Sequence, residues 1–142
     1  MHQKIAIIDL GTNTFHLLLA SRSKGGYLIT HREKTPVKIG MHGINQGIIQ
    51  AEGIERAVTA LQAFKTIIDN QGITKIFAFG TSALRNARNT PEILSMIKQA
   101  TGIDVSIISG DEEADFIYRG VKSAMKLGED TSLIIDIGGG SV

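Results

Sequence analysis

Apolar and polar positions divide the first twenty residues into two apolar runs with a polar turn between them. Ile5-Ala6-Ile7-Ile8 is an isoleucine-rich run of strand length, short enough to be buried on both faces, and Asp9 ends it. Gly11-Thr12-Asn13-Thr14 follows, supplying a glycine for tight backbone geometry along with hydroxyls and amide N–H groups that can face an anion. Phe15 to Ala20 is apolar again, so the stretch predicts a hairpin with one carboxylate at the end of its first strand. The design recurs at the far end of the chain as Leu133-Ile134-Ile135-Asp136-Ile137-Gly138-Gly139-Gly140-Ser141. This duplication is the only internal repeat, and no segment is of low complexity.

Between the two copies the period changes. Lys24-Gly25-Gly26 reads as a turn and Tyr27 to Ile39 as a third, antiparallel strand, whose Arg32, Glu33, Lys34 and Pro36 suit a solvated face or a sheet edge. Gly40 to Gly47 holds three glycines and reads as a mobile loop. Ala51 to Asn70 has helical spacing, with Ile54, Val58, Leu61, Phe64, Lys65 and Ile68 on one face, Ala57 beside them and Gly72 as its stop. Lys75 to Phe79 predicts a buried strand leading into a Gly80-Thr81-Ser82 turn. A helix is expected from Thr90-Pro91 to Ala100, stopped by Gly102. Val105 to Ile108 predicts a strand and Ser109 the cap of a helix running to about Met125, with Gly128-Glu129-Asp130 as a linker. Three meandering strands followed by alternating helices and strands predict an α/β domain, a mixed five-stranded sheet with helices on its faces.

Composition narrows the class. The chain has 142 residues, the size of one domain, and 42% apolar with 20% charged residues are globular proportions. A formal charge of +1 gives no strong overall field for polyanions, so an anion site must be local. The absence of cysteine excludes disulfides and thiolate metal sites and fits a reducing cytoplasm. The N-terminus meets Asp9 before any long apolar run, unlike a signal peptide, and no stretch reaches the roughly 18 apolar residues of a membrane helix. Scattered basic residues and few aromatics argue against nucleic acid as a partner. The expectation is a cytoplasmic protein with no membrane partner.

The candidate chemistry lies at the carboxyl ends of strands, where α/β sheets place ligands. One Asp ending a strand is as readily a turn cap as a functional group; two, each before a Gly-rich polar loop, favour function. Asp9 and Asp136 suit Mg²⁺, a cation that prefers oxygen ligands, and the loop amides suit phosphate oxygens. Arg85, just beyond the Gly-Thr-Ser turn, is placed to clamp phosphate, with Arg88 a weaker second candidate. In Ser109-Gly110-Asp111-Glu112-Glu113-Ala114, a capping box explains Ser109 and Glu112 but not Glu113. Ala114, Ile117, Tyr118, Val121, Ala124 and Met125 form an apolar stripe opposite Glu112, Asp115 and Arg119, and Phe116 does not fit this pattern. Glu113 flanks the stripe in the first turn, where partial desolvation would favour general-base work, although a plain helix-dipole role is the competing reading. His16 reads as packed rather than ligating, and His2, His31 and His42 lack metal-ligand spacing. No nucleophile with an orienting base, no P-loop and no dinucleotide fingerprint is present.

Four segments in order, Ile7 to Thr14, Gly80 to Ala87, Ser109 to Ala114 and Asp136 to Ser141, resemble the exopolyphosphatase / guanosine pentaphosphate phosphohydrolase (Ppx/GppA phosphatase) family of the actin-like ATPase superfamily. The resemblance implies an RNase H-like domain facing a second such domain across a cleft. It also implies Mg²⁺-dependent hydrolysis of the terminal phosphate of inorganic polyphosphate, or of the 5′ γ-phosphate of guanosine pentaphosphate. By motif, Glu113 corresponds to the base that activates water and Arg85 to a substrate-phosphate contact. Asp9 and Asp136 correspond to the carboxylates near metal and phosphate, and Gly11, Thr12, Asn13 and Thr14 with Gly138, Gly139, Gly140 and Ser141 to the phosphate loops.

Family members continue for on the order of a further domain, and the acidic residue that follows their second loop is absent here. Residues 1–127 are therefore read as the first domain and 128–142 as the first strand and loop of a truncated second one, with little hydrolysis expected from the fragment alone. The apolar strand Leu133 to Ile137 is expected to pair with its own sheet or with a neighbouring chain, the latter giving a homodimer. The competing readings are a sugar or acid kinase of the same superfamily, and a sensor that binds the alarmone or polyphosphate without turnover.

Overall fold

The computed structural model describes residues 3–128 and 131–139. Its centre is a five-stranded sheet in the order β3-β2-β1-β4-β5. β1 (Lys4–Leu10), β2 (Thr14–Ser23) and β3 (Gly26–Pro36) form an antiparallel meander. β4 (Ile76–Gly80) lies parallel to β1 on its other side, and β5 (Val105–Ile107) lies parallel to β4. The crossovers are helical, because parallel neighbours cannot be joined by a tight turn. α1 (Ala51–Asn70) leads to β4; α2 (Ser82–Asn86) and α3 (Thr90–Thr101) lead to β5; α4 (Gly110–Ala124) follows.

Alternation along the strands sends one set of side chains to each face. Ala6, Ile8 and Leu10 of β1 and Phe15, Leu17 and Leu19 of β2 point to one side and are buried. There they meet Ala57, Leu61, Phe64 and Ile68 of α1 and Ile93 and Ile97 of α3 in a single core cluster. α1 has the predicted bounds and buries most of the predicted face, with Val58 partly covered at its margin. Pro91 sits in the first turn of α3, as its spacing predicts.

The opposite face of the sheet is much less covered. Ile7 is only partly buried and Phe77 is 39% exposed, so β1 is not enclosed on both sides as its composition suggests. α4 lies on this side, its Phe116 ring 5.6 Å from that of Phe79. Phe116 therefore supplies a sheet contact, whereas the expected apolar stripe is not a core face: α4 has no buried residue, and Tyr118 and Met125 are exposed.

Two further expectations are corrected. Residues 133–137 form no strand; they have no hydrogen-bonded neighbour in the sheet, and Leu133, Ile135 and Ile137 are exposed. The stretch from Gly40 to Gly47 is more ordered in outline than a plain loop, containing the 3₁₀ turn Ile44–Gln46. Arg88 serves that turn: its backbone N–H donates to Gly47 O at 2.8 Å and its Nη2 to Gln46 O at 2.6 Å, so the structure gives it a structural task.

Candidate active site

The hairpin between β1 and β2 is as tight as the sequence requires. Gly11 N donates to Thr14 O at 3.2 Å, and a Cβ on Gly11 would come within 2.8 Å of that same oxygen. Only glycine fits this approach without moving the backbone. The loop is also held from outside. Asn13 O accepts from the N–H groups of Val37 and Lys38, each at 2.9 Å. Their carbonyls in turn accept from Arg56 of α1, Val37 O from Nε at 2.7 Å and Lys38 O from Nη2 at 3.0 Å. A long, helix-anchored guanidinium thus fixes the loop from behind, which motif reading did not bring out.

The turn after β4 becomes the short helix α2, and Arg85 rises from it towards the start of α4. Its Nη1 donates to Ile108 O at 2.9 Å and to Glu113 Oε2 at 3.0 Å. Both side chains of this pair are about three-quarters covered, at 24% and 22% exposure, so the contact is better shielded than a surface ion pair. Glu113 is placed by the helix start. Ser109 Oγ accepts from Glu112 N–H at 3.1 Å, Glu112 Oε2 accepts from Ser109 N–H at 2.8 Å, and the next residue is turned to Arg85. The predicted capping box and the Asp115–Arg119 pair are both present.

These pieces enclose a cleft of about 360 Å³, lined by the Gly11–Thr14 loop, Asp9, Thr81, Glu113 and, from the tail, Asp136 to Gly139. Its size falls in the range of small-molecule sites. Glu113 and Asp136 also border an adjoining hollow of about 250 Å³ that reaches Arg85. The two loops come close enough that a Cβ on Gly139 would overlap the Asn13 amide. Asp9, Glu113, Asp136, Gly11, Thr12, Asn13, Thr14, Gly138 and Gly139 therefore converge, with Arg85 joined to them through Glu113. Gly140 and Ser141 lie outside the described residues.

Electrostatics records the same convergence. The Asp9 carboxyl is held above its ordinary value of 3.8, first by desolvation against the surrounding protein and then by the Glu113 and Asp136 carboxylates; His16 acts in the opposite direction. Solvent still reaches Asp9, so the shift reflects crowding on a cleft floor rather than burial in a core. His16 is not packed, contrary to the reading of its apolar strand. It is exposed, pairs across the hairpin with Asp9 and faces the cleft. The hairpin supplied the missing signal: a tight turn centred on residues 12 and 13 places 16 opposite 9, on the same face.

Among the described residues, no group of three or more His, Asp or Glu side chains is arranged to hold a metal ion. The donor set nevertheless fits Mg²⁺, which is commonly held by one or two carboxylates together with waters and substrate phosphate. Asp9 and Asp136 face one cleft and influence each other electrostatically. Also among the described residues, no helix is long and apolar enough to cross a membrane.

A mixed sheet whose strand-end aspartate, glycine loop and helix-start glutamate meet over one polar cleft defines a domain of RNase H-like architecture. The comparisons agree. A family model for the Ppx/GppA phosphatase family matches residues 18–142, and the chain belongs to that family. Exopolyphosphatase 1 of Mycobacterium tuberculosis is 27% identical over 140 residues, which is 98% of this chain and 41% of that protein. The structure of an exopolyphosphatase from Cytophaga hutchinsonii superposes with a TM-score of 0.83 at 39% identity, covering 85% of this chain and 39% of that one. The Aquifex aeolicus member of the Ppx/GppA family gives 0.82 at 26% identity, covering 89% and 42%. The fold is accordingly that of the actin-like ATPase superfamily, and the chain spans about two fifths of the length of these relatives.

Proposed function

We propose that this chain carries the catalytic half of a phosphohydrolase that removes the terminal phosphate from inorganic polyphosphate or the 5′ γ-phosphate from guanosine pentaphosphate. The observation that carries the reading is Glu113, aimed by Arg85 into a cleft whose other walls are two glycine loops and two aspartates.

In this reading Glu113 accepts a proton from water as the water oxygen forms a bond to the terminal phosphorus. The bridging P–O bond breaks, and the shortened chain leaves with the bonding pair. Arg85 orients the base through Nη1 and offers its remaining N–H groups to phosphate oxygens. The N–H groups of the Gly11–Thr14 and Gly138–Ser141 loops receive the phosphate oxygens, so positioning and charge stabilisation do most of the work. Asp9 and Asp136 would hold Mg²⁺, which when bound neutralises charge on the phosphates. Residues 1–127 form the first domain of this enzyme, and 128–142 lead into a second one that faces it.

The test is phosphate release by the full-length protein from both substrates, beside its Glu113→Gln variant. The expected result is Mg²⁺-dependent release that the substitution lowers by about 10²–10⁴-fold. Undiminished turnover in the variant would remove Glu113 from the mechanism. Binding without release in the wild type would make the protein a sensor.

A further inference from the structure

Beside the catalytic cleft, the outer face of the meander carries a second groove, of about 530 Å³, that shares Asp9 and His16 with it. From there it runs past Leu18 to Arg32, Glu33 and Lys34 on β3, which also line it. The strand registers explain the row. Asp9 pairs with His16, and His16 pairs with Lys34; in the next row Ile7 pairs with Leu18, and Leu18 with Arg32. Residues in such rows share a face of the sheet, and neighbouring strands lie about 4.8 Å apart. Lys34 therefore stands about 10 Å, two strand spacings, from the strand-end carboxylate.

Charges on an edge strand can serve only to prevent pairing with another sheet. The register, however, sets Arg32 and Lys34 on one face of β3 and Glu33 on the other, although Glu33 at this sheet edge also reaches the groove. On the core side, Glu33 has a partner, its carboxylate 3.8 Å from His31 Nε2. On the cleft side, Arg32 and Lys34 are exposed, and their side chains make no ion pair or hydrogen bond among the described residues. Two cations without a partner among the described residues and a histidine thus line this groove together with the Asp9 and Glu33 carboxylates, in a protein whose net charge is only +1.

We infer that this groove is a track for the inner phosphates of a linear polyphosphate, with Lys34 and Arg32 as its cations and His16 at its junction with the cleft. The inference rests on the phosphohydrolase reading and deepens it: it assigns the site to a chain-like substrate that extends across the sheet from Glu113. A short substrate ends before it reaches Lys34.

The experiment uses the full-length protein and an R32Q/K34Q double variant, with long-chain polyphosphate and tripolyphosphate as probes. KM and kcat are measured for each, together with equilibrium binding. The double variant is expected to raise KM for the long chain about tenfold with kcat little changed. The preference for the long chain over tripolyphosphate, as the ratio of the two KM values, should collapse by a similar factor. The charge-preserving pair R32K/K34R should restore it. An unchanged ratio, or equal loss with both probes, overturns the track. If the wild type releases no phosphate from either probe, the hydrolase reading is lost, and the binding ratio alone decides: the track stands if the double variant loses the long-chain preference and falls if it keeps it.

Discussion

α1 and α4 are both amphipathic helices, yet the fold uses them in opposite ways. α1 spans twenty residues and buries seven of them, including Ile54, Leu61, Phe64 and Ile68. α4 spans fifteen residues and buries none. An apolar stripe states that a face wants cover; it does not say that cover is present. α1 is held by packing over its whole length, and α4 by a capping box, the Arg85–Glu113 pair and one ring contact with Phe79. The helix that carries the proposed base is thus the weakly anchored one, as expected when site elements come from the less stable parts of a fold.

The largest effect that should separate the two helices comes from truncating their apolar residues. Phe64→Ala empties a fully buried position and should cost about 3–5 kcal/mol. Ile117→Ala, on the partly covered face of α4, should cost no more than about 1 kcal/mol. Denaturant unfolding of both variants checks this, and comparable losses would mean that α4 is packed more firmly than its exposure indicates.

The contrast also explains what the sequence made legible. α1 was readable to the residue because periodicity, a glycine stop and a buried face all agree. The cleft was readable in outline because Asp9 lies at the end of β1, Arg85 in the short helix just past β4 and Glu113 in the first turn of α4, places that Gly, Ser and Thr mark in the sequence, and because Asp136 repeats the pattern around Asp9. The stripe of α4 misled because an uncovered apolar face has the same pattern as a covered one. His16 misleads for the converse reason: its own strand suggests a packed residue, and its meaning comes from Asp9, paired with it across the hairpin. Arg56 carried no local signal, since its role is to hold two carbonyls well upstream in sequence. Residues 133–137 have the composition of a strand, but a strand exists only with a hydrogen-bonding neighbour.

A smaller effect should appear at the start of α4. Ser109→Ala removes the acceptor for Glu112 N–H and should cost about 1 kcal/mol, the usual value for a lost N-cap. Because α4 has no buried residue, the loss should be local. Amide exchange should quicken in the first turn, at Glu112 and Glu113, with little shift in the global unfolding midpoint. A matching shift in that midpoint would show that α4 unfolds together with the core after all. Glu112 adds a pH signature. Its carboxyl is held below 4.5 by the hydrogen bond from the Ser109 N–H and then by the Ser109 side chain. Its contribution is therefore present above 4.5 and fades as pH falls through the lowered value.

The smallest expected effect sets the two faces of a single strand against each other. In β1, Ile8 and Leu10 face the core, whereas Asp9 between them faces the cleft with its carboxyl pushed up by crowding and by Glu113 and Asp136. A raised carboxyl holds its proton more tightly in the folded chain than in the unfolded one. The folded state then binds more protons between 3.8 and the raised value, so this residue's contribution to stability falls as pH rises through that window. Asp9→Asn removes the charge and should raise the melting temperature slightly at pH 7, with the advantage vanishing below pH 3.8. The same substitution should remove any rise in melting temperature that Mg²⁺ gives the wild type, because a ligand stabilises only the state that binds it. Melting curves at both pH values, with and without Mg²⁺, separate these effects. A variant less stable than the wild type at pH 7 without Mg²⁺ would mean that Asp9 is kept for the fold, and the division of β1 into a core face and a site face would not hold.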